Sequence, residues 1–182
     1  MQFNHDNMTG VFLAADLVNA SNPSAGWTAR EAEELLRAHQ IRRPALTAEA
    51  AAMLVEWAAR LRTAFTAHDV PALCEAVNAL LLQGTTRAYL TTHDQLRPHL
   101  HFAPDEDDVV ARVKAVTAGG LAIFVTESQG ARLGVCGRRG CETVFVDTSR
   151  NGLRAYCSAR CGNTDAVRRH REKRPVDARS SA

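Results

Sequence analysis

Four of the five cysteines of this chain fall within 26 residues, as Cys136-x4-Cys141, then 15 residues, then Cys157-x3-Cys161. Two close pairs separated by enough chain for a hairpin let each pair grip one metal ion from its own turn while the intervening segment folds back. The opening residues Met1 to Asp6 lack the basic-then-apolar order of an export signal, and no uncharged apolar run reaches about 18 residues. A cytoplasmic location with reduced thiols and no membrane span is therefore expected. Reduced thiols clustered at this spacing favour a metal over disulfides or over four small packed residues. Four cysteines also close a tetrahedral shell, so the expected cofactor is one structural Zn²⁺ rather than a catalytic ion with an open position.

The cysteines coincide with a division of charge. The 182 residues sum to a formal +2, but residues 1–130 carry 10 basic and 15 acidic side chains, a balance of −5. Residues 131–182 carry 12 basic and 5 acidic, a balance of +7. A boundary near Gly130 is expected, with a mainly helical domain over 1–130 and a small α+β metal module over 131–182. Four thiolates and one Zn²⁺ contribute about −2, which leaves the module near +5. Cys74, alone in the first part, reads as a small core residue.

Along the first part, Gly10 to Asn19 is a short, mixed apolar stretch open to either strand or helix, with the balance towards a strand and then a turn. Thr28 followed by Glu31 has the form of a capping box, which predicts a helix over 29–40. Thr47 opens a second helix in which Ala50, Leu54, Trp57, Leu61 and Phe65 form one apolar stripe. Asp69 ahead of Val70-Pro71 opens a third, closed by Gly84. Residues 85–91 and 96–102 predict a small hairpin turning at His93-Asp94-Gln95, with Pro98 confining its strand to an edge. The acidic run Asp105 to Asp108 precedes a helix expected to be interrupted or capped at Gly119-Gly120. His39, His68, His93, His99 and His101 form no catalytic constellation, and the pair His99 and His101 fits a solvated edge strand better than a metal site. The chain is not expected to be an enzyme.

Between the cysteine pairs, Thr143 to Val146 and Leu153 to Tyr156 are strand-like runs joined through Asn151-Gly152, and a helix follows Cys157. The order knuckle, hairpin and ligand-bearing helix is treble-clef-like. The residues Leu133-Gly134-Val135-Cys136, Cys141 through Gly152, Tyr156 through Asn163 and Arg168-Arg169-His170 resemble the CGNR zinc finger, the Phe-x-Asp-x-Ser-Arg-Asn core being the most specific part. The helical first part is similar to the ABATE domain that precedes this finger in the family. The resemblance implies a bacterial, stress-induced transcriptional regulator. One departure stands out: the motif Cys161-Gly162-Asn163 continues with Thr164 and Asp165 where the family carries Arg and further basic residues.

The basic residues of the module, Arg138, Arg139, Arg150, Arg154, Arg160, Arg168, Arg169, His170, Arg171, Lys173 and Arg174, are the candidate nucleic-acid contacts. Such density is an electrostatic footprint for phosphate, whereas a charge run by itself is equally a solvated tail. The partner expected first is DNA, with the helical domain sensing a signal or forming a homodimer. The competing expectation is a zinc-scaffolded protein-interaction module docking on a transcription-related partner, which Thr164 and Asp165 favour. A zinc hydrolase would require an open metal position.

Overall fold

The computed structural model describes residues 5–21, 27–92, 99–104, 107–130 and 132–173. Six helices and two strand pairs follow in the order α1 (His5–Ala20), α2 (Ala29–Ala38), α3 (Ala48–Thr66), α4 (Val70–Gly84), β1 (Tyr89–Thr91), β2 (His99–His101), α5 (Val109–Glu127), β3 (Leu133–Val135), β4 (Val144–Val146) and α6 (Ala159–Lys173). The fold is mainly helical, with a small α+β C-terminal part.

The helix starts lie where the capping chemistry puts them. The Glu31 amide donates to Thr28 Oγ1 at 3.3 Å while the Thr28 amide donates to Glu31 Oε2 at 2.9 Å, a reciprocal box that begins α2. Thr47 and Asp69 accept from the third amide of α3 and α4 respectively. Asp108 caps α5 by accepting from the amides of Val110 and Ala111. The β1 and β2 strands pair antiparallel with Leu90 opposite Leu100. Their expected turn at His93 to Gln95, and Pro98, lie outside the described residues.

Three sequence expectations are corrected. The segment around Gly10 to Asn19 is helical, not a strand and turn: α1 is the central helix, and Met8, Val11, Leu13, Ala14, Ala15, Leu17 and Val18 are all buried. The exposed positions Thr9, Phe12, Asp16 and Asn19 form only a narrow stripe, and because it includes the apolar Phe12 the sequence displays little 3.6-residue alternation. The pair Gly119-Gly120 does not interrupt α5, because the glycines serve packing. A Cβ on Gly120 would lie 2.6 Å from the Cα of Gly10, and a Cβ on Gly119 would lie 2.1 Å from the Phe102 ring. Cys74 is exposed rather than a core residue: Leu73, Val77 and Leu80 make the inner face of α4, and the next position after Leu73 is turned about 100° away.

The core runs through α1, α3, α4 and α5, centred on Leu13, Leu17, Trp57, Leu61, Leu121 and Phe124. α5 is long and apolar enough to cross a bilayer by length and composition, but half of that window is buried inside this bundle. The one hydrogen-bonding group of Trp57 is satisfied internally, its Nε1 donating to Thr117 Oγ1 at 2.9 Å. Val144 and Val146 of β4 belong to the same apolar cluster as α1, so the strand pair before the C-terminal helix sits on the helical core.

Candidate metal centre

β3 and β4 pair antiparallel with Val135 opposite Val144, and the chain between them forms the first knuckle. The Cys136 amide donates to the Thr143 carbonyl at 2.9 Å, and the Cys141 amide donates to the Arg138 carbonyl at 2.9 Å. Gly140 sits in this turn with φ +75°, a left-handed conformation that glycine adopts without strain.

After β4 the chain forms a loop closed on Asp147, a buried carboxylate. Its two oxygens accept from the Ser149 amide at 2.8 Å and the Arg154 amide at 2.9 Å. Burial pushes this carboxyl up, but the hydrogen bonds from Ser149 and Arg154 and the charge of Arg132 outweigh it and hold the group below its ordinary value. The Asp-x-Ser of the sequence motif is therefore a loop closure. The expected strand over Leu153 to Tyr156 does not form: β4 takes β3 as its partner instead. Residues 153–156 run as a tether whose Ala155 carbonyl accepts from the Gly137 amide at 2.8 Å. At Asn151-Gly152 the chain turns with Gly152 at φ +64°, and the Arg132 guanidinium lies 2.7 Å from where a Cβ of Gly152 would be.

Cys157 precedes α6 and Cys161 lies in its first turn, where the Cys161 amide donates to Ser158 Oγ at 3.2 Å. All four sulfurs lie within 4.8 Å of one another. Individual Sγ separations are 3.5 Å for Cys157 to Cys161, 3.9 Å for Cys141 to Cys157 and 4.0 Å for Cys141 to Cys161. A tetrahedral ion with Zn–S bonds of about 2.3 Å spaces its sulfurs by about 3.8 Å, so the donor set fits one Zn²⁺ in size and softness. The Thr143 hydroxyl, 3.3 Å from Cys141 Sγ, and the Thr143 amide bring that thiol down to about 6. The Ser158 hydroxyl, then Cys157 and Arg138, lower Cys161 as well. Burial first, and then its sulfur neighbours, push Cys157 up to about 12. The Cys141 thiol is thus poised as a thiolate and Cys161 is biased the same way, while an ion bound here displaces the proton that Cys157 retains.

The basic candidates divide into two sets. Arg138 Nε donates to Cys161 Sγ at 3.3 Å. Arg154 binds the carbonyls of Val146, Tyr156 and Cys157 and lies over the Phe145 ring at 5.0 Å, so it holds the loop to the knuckle. Arg168 and Arg169 both engage Asp165, whose side chain is 4 % exposed and which also accepts from the Tyr156 hydroxyl at 2.9 Å. In contrast, the exposed side chains of Arg139, Arg150, Arg160, His170 and Arg171 make no hydrogen bond or ion pair among the described residues. Lys173 ends α6, and Arg174 lies outside the described residues.

Sequence reasoning treated Asp165 as a lost positive charge, whereas it is the buried anchor of α6. The hydrogen bonds from Arg168 and then Tyr156 hold its carboxyl below the ordinary range. It also missed Asn19 and Asp147, whose roles depend on partners far along the chain or on loop closure. No curated protein matches the chain. The segment that builds the four-sulfur site, residues 132–174, matches the family model of the CGNR zinc finger.

Proposed function

We propose that this protein is a DNA-binding transcriptional regulator of the bacterial type implied by its finger, with Zn²⁺ as a structural element and the helical residues 1–130 as a sensing or dimerising part. The observation that carries this reading is the set of uncompensated arginines, Arg139, Arg150, Arg160 and Arg171, exposed on a module whose metal ligands form a closed shell. Closure supports a scaffold rather than an enzyme, since activated water needs a free coordination position. The zinc holds the knuckle and the start of α6 in one geometry, and the arginines present charge to phosphate. Resemblance of the first part to the ABATE domain supports the regulatory assignment. The reading carries with it a cytoplasmic location.

The direct test is fluorescence anisotropy of zinc-loaded protein on labelled genomic duplexes across a salt series. Four phosphate contacts give a log–log slope of about −4. Binding that is absent at low salt, or equal with and without zinc, would overturn the reading. The neutralisation of Arg168 and Arg169 by Asp165 favours a second reading, a docking surface for an acidic protein, and that reading requires capture of a transcription-related partner in the absence of DNA.

A further inference from the structure

Among the described residues, α6 packs against no other helix or strand. It is held at the zinc site and by Asp165. Its inner side is the row Cys161, Asp165, Arg168, Arg169 and Glu172, tied to the metal pocket, to Tyr156 and to itself: Arg168 binds Asp165 on one side and Glu172 on the other, at 2.7 Å. Positions three, four, seven and eleven residues after Arg160 fall on a second stripe, turned roughly 130° around the helix from that row. That stripe is Arg160, Asn163, Thr164, Val167 and Arg171, every one of them exposed. Val167 is the one large apolar side chain of the helix, and it is 51 % exposed, so folding does not account for it.

We infer that this outer stripe of α6 is the base-reading surface, inserted into the major groove of duplex DNA, with Arg160 and Arg171 at its ends and Asn163, Thr164 and Val167 between them. The inference rests on the DNA-binding reading above and adds which residues read sequence. A single helix fits the major groove, and the chemistry of the stripe matches base edges: arginine for guanine, asparagine for adenine, a threonine or valine methyl for the thymine methyl. The span suits this as well, since eleven residues of helix cover about 16 Å, close to five base steps. Charge complementarity selects the partner, because Arg160 and Arg171 have no carboxylate among the described residues while Arg168 and Arg169 on the inner side are neutralised. The inner ion pairs thus act as an anchor that fixes which face turns outward.

The experiment is selection of a randomised duplex pool on the full zinc-loaded chain, followed by sequencing, for the wild type and for Asn163→Ala, Val167→Ala, Arg171→Ala and Arg139→Ala. These side chains are exposed, so zinc content and melting temperature should match the wild type. The wild type should enrich a short motif. Asn163→Ala, Val167→Ala and Arg171→Ala should each relax one position of it, on the order of ten- to a hundredfold for Asn163 and Arg171. Arg139→Ala, on the knuckle, should weaken all sequences alike. Salt-sensitive binding with no enriched motif, or a motif unchanged in all three outer-stripe variants, overturns the inference and leaves DNA binding standing. Failure to retain any duplex, with retention of poly-glutamate by the same stripe, overturns both and assigns the face to an acidic protein.

Discussion

The side-chain amide of Asn19, in the last turn of α1, clasps the backbone of Val144 in β4: Nδ2 donates to the Val144 carbonyl at 3.0 Å while Oδ1 accepts from the Val144 amide at 2.8 Å. One side chain does here what a third strand would do at the open edge of β4, satisfying both outward backbone groups of Val144. Val144 lies three residues after the ligand Cys141, and Arg62 of α3 donates to the carbonyl of the residue between Cys141 and Thr143 at 2.9 Å. The metal knuckle is thereby fastened to two helices of the core.

Asn19→Ala removes both bonds and leaves two partly buried backbone groups of Val144 without a protein partner. The expected loss is roughly 2 to 4 kcal/mol of unfolding free energy. Urea denaturation checks it, with a lowered midpoint and an unchanged slope, and retention of wild-type stability would show that water replaces the amide at no cost.

The approach of α1 to α5 makes Gly10 and Gly120 sensitive. A Cβ on Gly10 would lie 2.3 Å from the Val116 carbonyl oxygen, and backbone cannot yield as a side chain can. Gly120→Ala should cost about 3 kcal/mol or prevent folding, because the two helices must separate. Gly140→Ala has open space around it and only a positive φ to bear, so about 1 to 2 kcal/mol is expected. Thermal melting of the two variants should rank them in that order.

What the sequence displayed follows from the range of each interaction. Caps at Thr28, Thr47 and Asp69 act over three residues and were legible in advance, and the acidic run that ends in the cap Asp108 marked the start of α5. So was the four-cysteine site, since its ligands come as two short-range pairs. The character of α1 was hidden because its exposed stripe is narrow and carries the apolar Phe12, which leaves little of the periodicity that identifies a helix. Gly119 and Gly120 suggested a break because their reason, contact with Gly10 and Phe102, lies elsewhere in the chain. The same holds for β4, whose strand character was legible while its partner was not: the later run Leu153 to Tyr156 was the expected partner, whereas β4 pairs with β3 and the Arg154 amide is taken by Asp147.

Zinc removal should be felt beyond the finger. Val144 and Val146 share the apolar cluster that contains Trp57, so releasing the knuckle exposes surface belonging to the helical core. A chelator should lower the melting midpoint reported by tryptophan fluorescence in a Trp27→Phe background, which leaves Trp57 as the reporter, in one transition with the loss of metal. Cys157→Ser should reproduce that shift with zinc present. Cobalt substitution should give the absorption of tetrahedral thiolate ligation. An unchanged tryptophan transition in the apo protein would mean that the finger unfolds independently.

The junction of α2 and α3 supplies a pH prediction away from the metal. Glu33 accepts from the Leu46 amide at 2.9 Å and from Arg37 at 2.8 Å, and these bonds, the first being the larger influence, hold its carboxyl below the ordinary 4.5. A carboxyl whose folded value lies below its unfolded one binds protons more readily in the unfolded chain, so its contribution is fully present above the unfolded value and fades as pH falls through the folded one. Glu33→Gln removes that titration while keeping an acceptor for Leu46. The wild type should therefore melt higher than the variant near neutral pH, and the gap should be steady down to about pH 5 and close progressively below it. Differential scanning fluorimetry of both proteins across that range provides the check, and a gap that stays constant through the acid range would show that the Leu46 bond does not depend on the charge of Glu33.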